Sequence, residues 1–528
     1  MLGAFGRHGG TERRLLGVIL PGETAGEMAL ISGTPHFADV VALRDSEILS
    51  LPRADFFAAA ALDPMVMIEA ARLMAPRAMR IARGLGGVDP NVFGFIGVTE
   101  GPRVRPLADQ LARAVEGFGL SVALIGSASM AETTAWFSQV EHGCDVVIYV
   151  AEPEETAWAQ WVSRQVDRLF RVAAGDRPPP PGLGAAPEAG PADLLLVHRA
   201  ASATPRGSAA WSAALNAARL FHVRLGVRAD INRLARVITG RAVGLVLSGG
   251  GARAYAHIGA IRALHSRGVP IDFIGGVSMG AIVGAGVAMG WDDAELDQRI
   301  RKAFVDSSPV DDVALPLIAM TTGGKVRVRL AEHFGERQIA DLWLPFFCLS
   351  SNLTTGAYHL HDRGRVREAL AASSALPGVL PPVIEGDDVL VDGAVMKNFP
   401  VDLMRALNPG PIVGVDVGHG RSVTAHELER PESLGRWFLS GDWRKGPPII
   451  SLLIRSATVT AERDAIAVHE ATDVLVLPMV DAIEIRDWKA YDAAVAAGET
   501  AMLEALDRLD RPVTELRRGP RHPGDGLA

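Results

Sequence analysis

Gly276-Val277-Ser278-Met279-Gly280 has the G-x-S-x-G pattern, in which two glycines permit a sharp strand-to-helix bend that lifts a serine hydroxyl clear of a sheet edge. The apolar pair Phe273–Ile274 supplies the strand before it, and Ala281–Met289 supplies the helix after it. Upstream, the apolar run Ala242–Leu247 ends in Ser248 and then in Gly249, Gly250 and Gly251. Consecutive glycines at the start of a helix let several backbone N–H groups converge on one anion, whether a phosphate or a transient oxyanion. Downstream, Val389-Leu-Val delivers Asp392 to a turn made by Gly393. A carboxylate there can take a proton from the serine or orient a base that does. Acyl transfer through a serine nucleophile is the chemistry these three pieces could perform together.

The elements that must position them follow from periodicity. Strand and helix alternate from Ala242 to about residue 510, so Ser278, Asp392 and the glycine turn all fall at C-terminal strand ends, where open α/β sheets collect their active sites. The fold class expected is α/β, with a mainly parallel central sheet flanked by helices. A smaller α/β unit precedes it over 90–225, with strands at Phe93–Val98, Ser121–Ile125, Asp145–Val150 and Leu194–Val197. Its Pro/Gly-rich run, 177–191, is expected as an exposed loop. Residues 1–85 read as a partial β-roll, with short apolar runs at Val40–Leu43 and Ile48–Leu51, followed by a helical stretch from Asp55 to about Arg83. Residues 230–510 form the main domain, and 511–528 a free tail.

Composition narrows the classes further. The chain of 528 residues carries 53 Lys plus Arg against 61 Asp plus Glu, a net charge of −8, which argues against a nucleic-acid binder. Its two cysteines, Cys144 and Cys348, exclude a disulfide scaffold and a cysteine-rich zinc site, and fit a reducing cytosol. No cofactor and no metal ligand set is expected. The short apolar stretch Leu15–Leu20 lacks the length of a secretory signal, and no window reaches the roughly 18–20 apolar residues of a spanning helix. A cytoplasmic chain is expected, with peripheral membrane contact left open.

The stretches GLVLSGGGARAYAHIGAIRAL (244–264), IDFIGGVSMGAIVGA (271–285), SSALPGVLPPV (373–383) and VDGAVMKNFPV (391–401) resemble the patatin-like phospholipases, specifically bacterial members close to neuropathy target esterase. The lead-in VRADINRLARVITGRAVG (227–244) is similar to that group as well. The resemblance implies a Ser–Asp dyad without histidine. Ser278 would be the nucleophile, Asp392 the base, and the amides around Gly249, Gly250 and Gly251 the oxyanion hole, with Arg253 beside them and Gly276 and Gly280 framing the bend. It implies lysophospholipids or related acyl esters as substrates. Position 254 departs from the family pattern, with Ala where glycine is usual.

Residues 22–40 resemble the phosphate-binding cassette of cyclic-nucleotide-binding domains, with Glu27 in the place of the ribose contact. His36 stands where that family has arginine, and Asp39 where it has a small hydroxyl residue, so a cyclic nucleotide is not expected as a ligand. Only about 20 residues precede the cassette, which reads as a truncated roll.

Other readings compete. Gly249-x-Gly251-x-x-Ala254 matches a dinucleotide fingerprint, but the acid at the expected distance, Asp272, precedes its apolar strand instead of following it. Gly323-Gly324-Lys325 fails as a P-loop because Ala319 and Val326 occupy required positions. A Ser-Asp-His triad using His419 keeps the order Ser…Asp…His; His469 follows as well, while His257 reads as structural. A catalytically weak binding or scaffold protein is the non-enzymatic alternative.

Overall fold

The computed structural model describes residues 2–7, 13–19, 23–36, 38–42, 46–82, 90–184, 192–306, 312, 314, 318–418 and 465–516. The chain divides into two compact units. One runs from Met1 to Val172 and takes in Ala186–Asp193 and Gly519–Ala528; the other comprises Ala173–Ala185 and Leu194–Arg518.

In the first unit, β1 (Leu2–Arg7), β2 (Arg13–Ile19) and β3 (Asp39–Ala42) make an antiparallel sheet in the order β2-β1-β3. The run Ile48–Leu51, read as a β element from sequence, is irregular and largely exposed. The helical stretch is two helices, Arg53–Leu62 and Met65–Ala82, divided at Asp63-Pro64 because proline disfavours a helical residue before it. Strands β4 (Val92–Gly97), β5 (Val122–Ile125), β6 (Val146–Ala151) and β7 (Arg168–Ala174) then lie side by side in the order β5-β6-β4-β7. They are parallel, and β4 and β6 are buried almost throughout, as expected for a sheet covered on both faces.

The second unit holds β8 (Asp193–His198) but for its first residue, and β9 (Leu220–Arg224), a parallel pair of which the sequence predicts the Leu194–Val197 strand. Bonds to later residues tie this stretch to the rest of the unit. Asp341 accepts the Ser208 N–H, and Arg219 donates to the Leu407 carbonyl. His222 Nε2–H donates to the Ala340 carbonyl at 2.8 Å, so its Nδ1 accepts from His198 Nε2–H at 2.9 Å. Burial and the neighbouring His198 push the His222 imidazole down to about 3, so it is neutral. Three residues on, the Trp343 N–H donates to the Ala288 carbonyl, and thereby fixes the far end of the helix that begins at Ser278.

The main sheet has β10 (Gly244–Leu247), β11 (Phe273–Val277), β12 (Phe346–Asn352), β13 (Ala357–His361), β14 (Val383–Glu385), β15 (Asp388–Asp392), β16 (Ile412–Val415) and β17 (Val474–Val476). Their order is β14-β15-β12-β11-β10-β16-β17, with β13 on β12. The five strands β12, β11, β10, β16 and β17 are parallel; β13 and β15 run antiparallel to β12, and β14 antiparallel to β15. The helix Ser278–Ala288 is apolar on every side and buried along nearly its whole length, which marks a central packing element. Among the described residues no helix is long and apolar enough to cross a membrane. The described start of the expected tail is packed: Val513 lies in the domain core.

Asp272, the acid of the dinucleotide reading, is structural. Its carboxylate takes two bonds from Arg236, at 2.8 and 2.7 Å, and one from the Val243 N–H at 2.9 Å. This clasp pins the helix Arg228–Ile238 to the starts of β10 and β11. Arg236→Ala is expected to cost about 3–5 kcal/mol by leaving a buried carboxylate without its cation. Urea unfolding checks this, and a loss below about 1 kcal/mol would show that Asp272 finds other partners.

Candidate active site

Strand β11 runs parallel between β10 and β12, and ends with Gly276 beside Leu247 and Val277 beside Leu349. The chain then turns directly into the helix Ser278–Ala288. Ser278 takes φ +54°, in the left-handed region that costs a non-glycine residue about 1–3 kcal/mol. That strain is held by its surroundings. The Ser278 N–H donates to Ser373 Oγ at 2.9 Å, and Gly280 lets the helix approach so closely that a Cβ there would lie 2.4 Å from the Ser248 carbonyl oxygen.

The hydroxyl so presented meets a carboxylate. Ser278 Oγ donates to Asp392 Oδ2 at 2.6 Å, across 114 residues of sequence. Asp392 ends β15, opposite Ser350 of β12; its Oδ1 accepts the Ala394 N–H at 2.9 Å, and its own N–H donates to the Ala375 carbonyl. The side chain is buried, so both oxygens are aimed by main-chain bonds and strand pairing. A short hydrogen bond from a hydroxyl to a carboxylate is the geometry needed to move a proton off the oxygen as it attacks.

The glycine turn lies against the serine: a Cβ on Gly249 would sit 3.1 Å from Ser278 Cβ. Its amides divide into two sets. The Gly249 N–H donates to Asn398 Oδ1 at 3.0 Å, and Asn398 Nδ2 donates back to the Gly249 carbonyl at 3.2 Å. The N–H groups of Gly250 and Gly251 have no acceptor among the described residues. Gly251 takes φ +57°, and a Cβ there would fall 2.3 Å from the Ile485 carbonyl oxygen, so only glycine fits. The Arg253 guanidinium, expected beside the oxyanion hole, turns instead to the 481–485 segment, where it donates to the carbonyls of Ile483 and Asp481. The Ala252 N–H donates to Ile485 in the same segment, and Ala254 is fully buried. The turn is therefore clamped from both sides, by Asn398 and by residues 481–485.

His257 is fully buried and donates from Nε2 to the Ser248 carbonyl at 2.8 Å; burial pushes it down to about 4, so the ring is a neutral brace, in line with the structural reading. His469 pairs through Nε2 with Asp416 Oδ2 at 2.9 Å. His419 lies outside the described residues. Two positioning side chains escaped notice in the sequence, Asn398 and Ser373, although both lie inside stretches that matched the family. Neither residue type in a loop signals a role by itself; the signal is their contact with Gly249 and with the Ser278 amide.

The patatin-like phospholipase family model matches residues 245–405, and the cyclic nucleotide-binding domain model matches residues 3–63. The N-terminal unit thus carries a recognisable cyclic-nucleotide-binding domain, and the match is compatible with such a ligand despite His36 and Asp39. An NTE family protein of Mycobacterium tuberculosis (strain CDC 1551 / Oshkosh) is 30% identical over 508 residues, covering 92% of this chain and 84% of that protein. Neuropathy target esterase of Drosophila melanogaster is 27% identical over 530 residues, covering 86% of this chain and 37% of that longer protein.

Proposed function

The chain belongs to the NTE family and carries a patatin-like phospholipase domain, and from that premise we propose that it hydrolyses acyl esters, lysophospholipids and related lipids, with Ser278 as nucleophile and Asp392 as the single base. The observation that carries this reading is the 2.6 Å bond from Ser278 Oγ to Asp392 Oδ2 at a residue held at φ +54°.

The geometry supports the following steps. Ser278 Oγ attacks the ester carbonyl carbon while its proton passes to Asp392 Oδ2. The carbonyl oxygen becomes an oxyanion, received by the N–H groups of Gly250 and Gly251, and each such donor is worth about 3–4 kcal/mol to the transition state. Collapse expels the alcohol, which takes the proton back from Asp392. Water then attacks the acyl-serine carbonyl with Asp392 again as base; on collapse Ser278 Oγ leaves and takes that proton back from Asp392, and the fatty acid departs. Gly249 and Arg253, read from sequence as part of the hole, serve in this scheme to hold it in shape.

Asn398→Ala releases the Gly249 side of that clamp. The expected result is a fall in kcat of roughly 10- to 100-fold, the equivalent of about 1–3 kcal/mol, with KM little changed. Steady-state kinetics on a lysophospholipid reads this, and an unchanged kcat would mean that residues 481–485 hold the turn alone. The reading as a whole is tested by fluorophosphonate labelling of the purified protein, with fatty-acid release measured from lysophosphatidylcholine, a diacyl phospholipid and a short-chain ester. Labelling with hydrolysis is the expected result. A protein that neither labels nor hydrolyses any of the three would return the chain to the binding or scaffold alternative.

A further inference from the structure

β13 carries His359-Leu360-His361, and alternation along a strand puts both imidazoles on one face. Their ring centroids are 4.6 Å apart. Glu385, the last residue of β14, brings a carboxylate to the same place, so that one donor atom from each of the three side chains lies within 4.8 Å of the others. Among the described residues no other trio of His, Cys, Asp or Glu comes together in this way. An ion of zinc size, bound at about 2.0–2.2 Å to imidazole nitrogen and carboxylate oxygen, needs its ligands closer than that upper bound. Glu385 is exposed and His359 half-buried, so the closing movement is a change of rotamer.

The buried member is prepared for ligation. Ser350 Oγ lies 2.8 Å from His361 Nε2, which leaves Nδ1 as the nitrogen to bind an ion. A second hydrogen bond of this kind fixes the tautomer and direction of a ligating histidine.

We propose that His359, His361 and Glu385 bind one divalent transition ion of the zinc class, with water completing its coordination. Two imidazoles and one carboxylate suit zinc, nickel or copper, and do not suit calcium or magnesium, which take oxygen ligands. The site does not depend on the hydrolase reading, but it lies close to that machinery. Ser350 pairs with His359 on one side of β12 and with Asp392 on the other, so all three share a face, with His359 and Asp392 two strand spacings, roughly 10 Å, apart. A bound ion ties the β14 hairpin to β13 across the two strands that present Asp392.

The test uses the full chain, freed of metal by chelation, and titrated with Zn(II) by calorimetry and with Co(II) by visible absorption. One equivalent of Zn(II), a tetrahedral or five-coordinate Co(II) spectrum and a rise in Tm with Zn(II) are expected. Glu385→Gln and His359→Ala, both changes at accessible side chains, are expected to weaken binding at least tenfold and to remove the Tm rise; Ser350→Ala is expected to weaken it about 10- to 100-fold. Absence of binding at millimolar Zn(II), or a full equivalent bound with unchanged affinity in the His359→Ala/Glu385→Gln double variant, would overturn the proposal.

Discussion

Ser278→Ala is expected to lower ester hydrolysis by roughly 10⁴- to 10⁶-fold and to abolish fluorophosphonate labelling. Removing a serine nucleophile leaves only the contributions of the oxyanion donors and of substrate binding, and in serine hydrolases the loss is of that order. The residual rate has an identifiable source here, since Gly250 and Gly251 keep their N–H groups available to polarise a bound carbonyl. Stability is expected to change little. Alanine at φ +54° bears the same backbone strain as serine, and the amide bond to Ser373 Oγ is unaffected. Parallel measurement of kcat/KM and Tm separates the two effects. A variant that retains more than about a tenth of wild-type activity would remove Ser278 from the chemistry, because no nucleophile loss is that mild.

Asp392→Asn is the second large effect, with an expected fall in kcat of about 10³- to 10⁴-fold. Asparagine keeps the size of the side chain and can still accept the Ala394 N–H, so the end of β15 is expected to hold its shape. What it loses is the capacity to take the serine proton, which in a dyad has no other destination. The comparison that decides the assignment is His419→Ala and His469→Ala beside Asp392→Asn. Near-full activity in both histidine variants supports proton transfer straight to the carboxylate. A collapse in His419→Ala equal to that in Asp392→Asn would instead make Asp392 the orienting member of a triad. The His469 ring is bonded to Asp416, which is itself tied to the Gly418 N–H, so its loss is expected to be felt locally.

The site was more legible than its supports. G-x-S-x-G announces itself because the bend demands glycines at fixed positions on either side of the serine, and the apolar runs around it demand a buried parallel sheet. Asp392 could be named because a short apolar strand ended there. The two silent members, Asn398 and Ser373, act through contacts made across 149 and 95 residues, which no local pattern encodes. Arg253 is a related case. A cation next to a glycine turn suggests a role toward an anion, and only the fold reveals carbonyl oxygens of the 481–485 segment within its reach. β8 and β9 read as the continuation of the middle module in sequence; the bonds that His222, Arg219 and the Ser208 amide make to later residues are long-range and have no local pattern to announce them.

The clasp between the glycine turn and residues 481–485 has a consequence, on the proposed function, for how activity comes into being. A ribosome delivers the serine bend first, the carboxylate 114 residues later, and the carbonyl that holds Arg253 only 230 residues beyond that arginine. A nascent chain therefore exposes its nucleophile well before the anion cup is drawn shut. On that reading hydrolytic competence arrives late in synthesis, with the last stitch of the domain, and a polypeptide stalled or clipped before Ile483 is expected to be inert.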